Sequence, residues 1–182
     1  MATFNAPVVP VFQAGTGPQA ADMNTLWYQT ASFLQNRIVF RASQVTTATT
    51  LPSSGATTTI GFDSVLEDPY SGWTGSPTFA WTPPAGYSGW YQVTMTVRTA
   101  APANLVDLRP ALVTTTATYN LNNVQGCSLT SAGACATFAV FLVGGQESVS
   151  GACQLLNSGA NVLTDLTAGQ NSTMEIVWIT QS

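Results

Sequence analysis

Gly89-Trp-Tyr-Gln-Val-Thr-Met-Thr-Val-Arg98 alternates apolar with polar side chains, the period of two that belongs to a half-buried β-strand. The same signal, β-branched and aromatic residues between turn clusters, runs through the chain from Arg37 onward. Arg37-Ile-Val-Phe-Arg-Ala-Ser43 reads as a strand, as does Thr57-Thr-Thr-Ile-Gly-Phe-Asp63, and Glu67-Asp-Pro-Tyr-Ser-Gly72 is a loop by composition. Phe79-Ala-Trp-Thr82 is a short strand that ends at Pro83-Pro84, since proline has no N–H to give a ladder. Further strands are predicted near 107–119, 136–143, 147–155, 161–165 and 173–180. Eight or nine strands with long and short connections predict an all-β fold, a β-sandwich or jelly roll over 38–182.

Two different segments precede that domain. Residues 1–17 hold Pro7, Pro10, Gly15 and Gly17 around Val8, Val9, Val11 and Phe12, which forbids a helix and predicts an extended arm lying along a neighbouring surface, with a frayed terminus as the plainer alternative. Residues 18–37 carry the convincing helical pattern. Pro18 suits a first helical turn and Asp22 the positive end of the dipole, while Met23, Leu26, Trp27, Thr30, Phe33 and Leu34 recur at steps of three and four. One short helix is marginal alone, so this apolar face is expected to pack on the main domain or on symmetry mates.

Composition narrows the function. The 182 residues carry only 7% charged side chains, a net charge of −4 and no His. An average soluble domain has about 25% charge. Without His there is no His-based triad, no imidazole proton shuttle and no His-ligated metal. The cations are Arg37, Arg41, Arg98 and Arg109, too few and too scattered to hold phosphates, so nucleic acid is not an expected partner. No apolar run reaches the roughly 18 residues of a membrane span. Nor does a basic segment followed by an apolar one open the chain, so no secretory leader is expected. Cys127, Cys135 and Cys153 lack both His partners and a CxxC spacing, which excludes a zinc site. The turn-rich residues between Cys127 and Cys135 leave either a bridge across a hairpin or buried thiols open.

Candidate chemistry is sparse. Asp63, Glu67 and Asp68 form the densest acidic group, yet their spacing is not that of a Ca²⁺ loop, and Asp63 reads as a turn cap. Eight acids give no preferred glycosidase pair, and the serines of Ser54-Gly55, Ser71-Gly72 and Ser88-Gly89 have no base, so no enzyme, cofactor or metal is expected. Tyr70, Trp73, Trp81 and Tyr87 fall in or beside loops, where they either stack on sugar rings or clamp the loops to the sandwich or to an adjacent subunit. Trp90, Tyr91, Phe138, Phe141 and Trp178 lie in strong strand segments and are the core or interface candidates.

The order of these pieces resembles a known family. Val39-Phe40-Arg41-Ala42 precedes Ile60-Gly-Phe-Asp-Ser-Val-Leu66; then come Tyr70, Trp73, Phe79, the Pro83-Pro84-Ala85-Gly86 turn and Gly89-Trp90-Tyr91, and the chain closes with Leu166-Thr-Ala-Gly169 and Met174-Glu-Ile-Val-Trp-Ile179. Over 39–180 this is similar to the jelly roll of complement-type globular heads and the tumour necrosis factor superfamily. Gln170 stands where that pattern has an aspartate, and the Gly-x-Tyr turn is stretched to Gly86-Tyr-Ser-Gly89-Trp-Tyr91, departures from the calcium-binding members. The helix-bearing stretch from Ala21 to Ala42 resembles a segment of virion proteins of actinobacterial tailed phages. The resemblance implies a homotrimer whose flat sheets meet on a threefold axis, and a chain so poor in charge independently calls for a large apolar interface.

These readings combine into one expectation, a homotrimeric capsid decoration protein in a virion assembled in the host cytoplasm. It would bind the major capsid protein or another virion protein through Val8, Val9, Val11 and Phe12 of the arm and Leu26, Trp27, Phe33 and Leu34 of the helix. The alternative is a tail-associated head that binds a cell-surface glycan through its loop aromatics.

Overall fold

The computed structural model describes residues 38–100, 105–120, 131–157 and 159–181. The arm expected at 1–17 and the helix expected at 18–37, with every candidate residue on them, lie outside this set, as does Cys127.

The described residues are strands and connections. In chain order the strands are β1 (Ile38–Ser43), β2 (Thr50–Leu51), β3 (Thr58–Thr59), β4 (Ser64–Glu67), β5 (Trp73–Thr74) and β6 (Ala80–Trp81). After these come β7 (Gly89–Ala100), β8 (Leu105–Thr114), β9 (Thr118–Asn120), β10 (Ser131–Leu142), β11 (Val149–Asn157), β12 (Val162–Leu163) and β13 (Thr173–Gln181). One sheet runs β10-β7-β13-β1-β4 and the other β5-β6-β11-β8-β9, with β3 also on β11; β12 pairs with β2. All of these pairings are antiparallel. Strands distant in sequence are neighbours in space, the jelly-roll arrangement in an all-β sandwich.

The alternation in β7 decides which face is core. Tyr91, Val93, Met95, Val97 and Thr99 are all buried, while Trp90 and Gln92 are exposed. Its partner β10 keeps unbroken register from Ser131 opposite Ala100 to Leu142 opposite Gly89, and buries Ala132, Ala134, Ala136, Phe138, Val140 and Leu142 on the same side. Phe40 and Ala42 of β1 and Met174, Ile176 and Trp178 of β13 complete that inner face. The second sheet answers with Leu108, Leu112, Val149, Cys153 and Leu155. Contact between the sheets is direct: the Trp81 ring lies 5.7 Å from Tyr91 and 6.2 Å from Phe40. At Gly151 the layers approach closely, since a Cβ there would stand 2.6 Å from Met95 Sδ and 2.8 Å from the Phe62 ring.

Three sequence expectations are corrected. The predicted strand at 107–119 is a hairpin, because Thr114 Oγ1 accepts from the N–H groups of Thr116 and Ala117 and turns the chain between β8 and β9. The strand predicted at 57–63 is only β3, and Ser64–Glu67 pairs instead with β1 as β4. Trp81 stands in β6, within the short strand expected at 79–82, but it is fully buried between Trp73 and Val149, which pair with it from either side, and so is not available as a ligand aromatic.

Candidate functional site

The outward face of the β10-β7-β13-β1 sheet is built in rows by the strand registers. Phe141 and Trp90 stand opposite one another with ring centroids 5.9 Å apart, edge to face, and both are exposed. Ile179 of the adjoining β13 is exposed as well, at 41%. Next comes Ala139 opposite Gln92, with Val177 beyond it. In the third row Thr137 and Thr94 share a hydroxyl contact of 3.2 Å, Glu175 stands opposite Thr94, and Arg41 reaches Glu175 at 3.4 Å. Cys135 opposite Thr96, then Gly133 opposite Arg98, complete the face. It is therefore apolar at one end, hydroxylated in the middle, and nearly free of net charge where Arg41 offsets Glu175.

Of the five core or interface candidates, Tyr91, Phe138 and Trp178 face the core, while Trp90 and Phe141 face outward. Alternation assigns the two roles, with one aromatic at each step of Trp90-Tyr91. Ile179 was not singled out from sequence. Its signal was the break of alternation in Val177-Trp178-Ile179, where the register shifts between Trp178 and Thr180 and presents an extra apolar side chain to solvent.

The loop aromatics pack inward. Trp73 stacks on Phe40 at 4.8 Å, Tyr70 meets Tyr87 at 5.3 Å, and Tyr87 meets Trp178 at 5.2 Å. Tyr91 donates its hydroxyl proton to the Tyr87 carbonyl. Burial, helped by the neighbouring Tyr70 and Tyr87, raises the Tyr91 phenol well above its ordinary value, so it stays protonated. These rings tie the loops to the sandwich rather than standing as a common platform.

The acidic residues serve the backbone. The Asp63 carboxylate accepts from the N–H groups of Val45 (2.7 Å), Thr46 (3.0 Å) and Thr47 (2.7 Å), and from the Thr46 hydroxyl. Burial raises its pKa, but the Thr46 hydroxyl and the three backbone donors outweigh that effect and hold it below the ordinary 3.8. Asp68 accepts from the backbone of Gly72 and Trp73 and from the Trp81 indole. Among the described residues no three His, Cys, Asp or Glu side chains converge as metal ligands. Cys153 is buried, and desolvation pushes its thiol up to about 12 against an opposing hydrogen bond from the Arg109 backbone, with Asp107 adding to the rise. Cys135 stands on the outward face. No helix among the described residues is long and apolar enough to cross a membrane.

The fold is a jelly-roll β-sandwich similar to that of complement-type globular heads. No family model matches the chain, and no curated protein matches it in sequence. Solved structures do. The globular domain of zebrafish complement 1qA is similar over 81% of this chain and all of its own, with a TM-score of 0.53 at 10% identity. PRD1 vertex protein P5 is similar over 79% of this chain and 98% of its own, with a TM-score of 0.53 at 16% identity. The Eiger tumour necrosis factor of S. frugiperda covers 81% of this chain at a TM-score of 0.46 and 10% identity.

Proposed function

We propose that this protein is a non-catalytic structural component of a virion, a homotrimer that decorates the capsid, with the arm and helix at 1–37 gripping the particle. The observation that carries this reading is the outward face of the β10-β7-β13-β1 sheet. Trp90, Phe141 and Ile179 are exposed together on a regular sheet with little net charge, in a chain with only 7% charged residues. Exposed apolar patches of this kind mark protein contact surfaces. The same fold serves as a vertex protein in PRD1, which supports placing such a jelly roll on a particle surface. Burial of the patch on a threefold axis would remove three copies of it from water, and three arms then bind with avidity that no single arm supplies.

Light scattering on the purified protein tests the assembly, with a mass three times 19.0 kDa expected. The double variant Trp90→Glu, Phe141→Glu should run as a folded monomer. Gold-labelled antibody on purified particles tests the location. Even labelling over the head supports decoration, labelling confined to the tail tip points to the receptor-binding alternative, and unlabelled particles overturn both. No second reading gains from the structure, because the loop aromatics of the glycan-binding alternative are engaged with one another and with the core.

A further inference from the structure

Beside the β5–β6 hairpin lies a pocket of about 290 Å³. Its aromatic lining comes from Trp73, Phe79 and the fully buried Phe62, and its polar lining from Asp63, Thr47 and Ser76. Phe79 adopts φ +46°, a left-handed conformation that a bulky side chain rarely takes. That backbone aims the ring across Gly61, where even a Cβ would be 3.3 Å from Phe79 Cζ, and brings it within 6.4 Å of the Trp73 ring at an angle of 44°. Glycine would take this φ without strain, so the backbone conformation leaves the ring itself to be explained.

We infer that this pocket binds a quaternary ammonium group, held against the adjoining Trp73 and Phe79 rings and beside the Asp63 carboxylate. Aromatic rings attract a cation to their faces through their quadrupoles. The carboxylate separates this ligand from a sugar. Both Asp63 oxygens are already engaged by Val45, Thr46 and Thr47, so few lone pairs remain for sugar hydroxyls. Its negative charge persists, and no arginine lines the pocket to cancel it. Such a fixed, hydrogen-bond-saturated anion acts by non-directional Coulomb attraction, which suits a cation that has no N–H to donate. The pocket's volume of about 290 Å³ suits a small headgroup, at the lower end of ligand pockets, which run from about 300 Å³.

The test is a titration of the full chain with choline, read by saturation transfer to the ligand methyl protons. The controls are the uncharged isostere 3,3-dimethylbutan-1-ol and glucose. Saturable millimolar binding of choline, with the isostere weaker by about tenfold and glucose inert, is the expected result. Phe79→Gly, which keeps the left-handed backbone comfortable while removing the ring, should lose choline binding and stay folded by circular dichroism. Asp63→Asn should weaken choline but not the isostere. Equal binding of choline and the isostere, preference for glucose, absence of saturation, or full choline binding by Phe79→Gly would each overturn the proposal.

Discussion

Asp63 shows how one side chain organises a loop. Its two oxygens collect three successive backbone donors from Val45 to Thr47 and one hydroxyl, which fixes the connection that leaves β1. A carboxyl held below 3.8 contributes stability that is present above that value and is lost as pH falls through the lower folded-state pKa. Asp63→Asn should therefore destabilise near neutrality, by about 0.5–1 kcal/mol once solvent screening of this exposed site is allowed for. The gap from wild type should close in acid, which urea unfolding at pH 7 and at pH 2 would measure. Cys153 gives a second residue-scale prediction. With its thiol raised to about 12 and no exposed surface, it should resist maleimide in the folded protein at pH 8 and react once denaturant is added, as peptide mapping would show. Both residues were visible in the sequence, Asp63 as a turn cap and Cys153 as a thiol without zinc-site spacing. The donors around one and the burial of the other come from segments far along the chain.

At the scale of elements, β7 was legible because its alternation is strict and its length is twelve residues. The hairpin between β8 and β9 was not. Thr114-Thr-Thr116 reads as a continuing β-branched run, and only the hydroxyl hydrogen bonds of Thr114 reveal the turn. Short strands such as β5 and β6 are set by their neighbours as much as by their own pattern, so the strand at Phe79–Thr82 was legible while the burial of Trp81 within it was not. Gly151 in β11 tests how closely the layers meet. A Cβ would intrude on Met95 and Phe62 in the interior, so Gly151→Ala should destabilise by about 1–3 kcal/mol, measured by thermal or urea unfolding. Gly86, also within the resemblance, has open space around its Cβ position but sits at φ +87°, so alanine there meets backbone strain instead of a clash.

For the whole molecule, the sandwich and its outward face set what the protein can do. If the trimer forms through the β10-β7-β13-β1 face, removing residues 1–17 should leave its mass per subunit ratio at three while abolishing particle binding, as co-sedimentation with arm-free particles would show. Normal binding by that truncated trimer would overturn the role of the arm. Period and composition were enough to establish the all-β class, the order of the main strands and the exclusion of His chemistry, because both are local properties of the chain. Which of Trp90 and Tyr91 meets solvent, where Asp63 finds its donors and how Trp73 and Phe79 come to flank one pocket emerge from the packed fold. Those outcomes depend on register and on contacts between residues remote in sequence, and no local pattern encodes which strand becomes the neighbour of which.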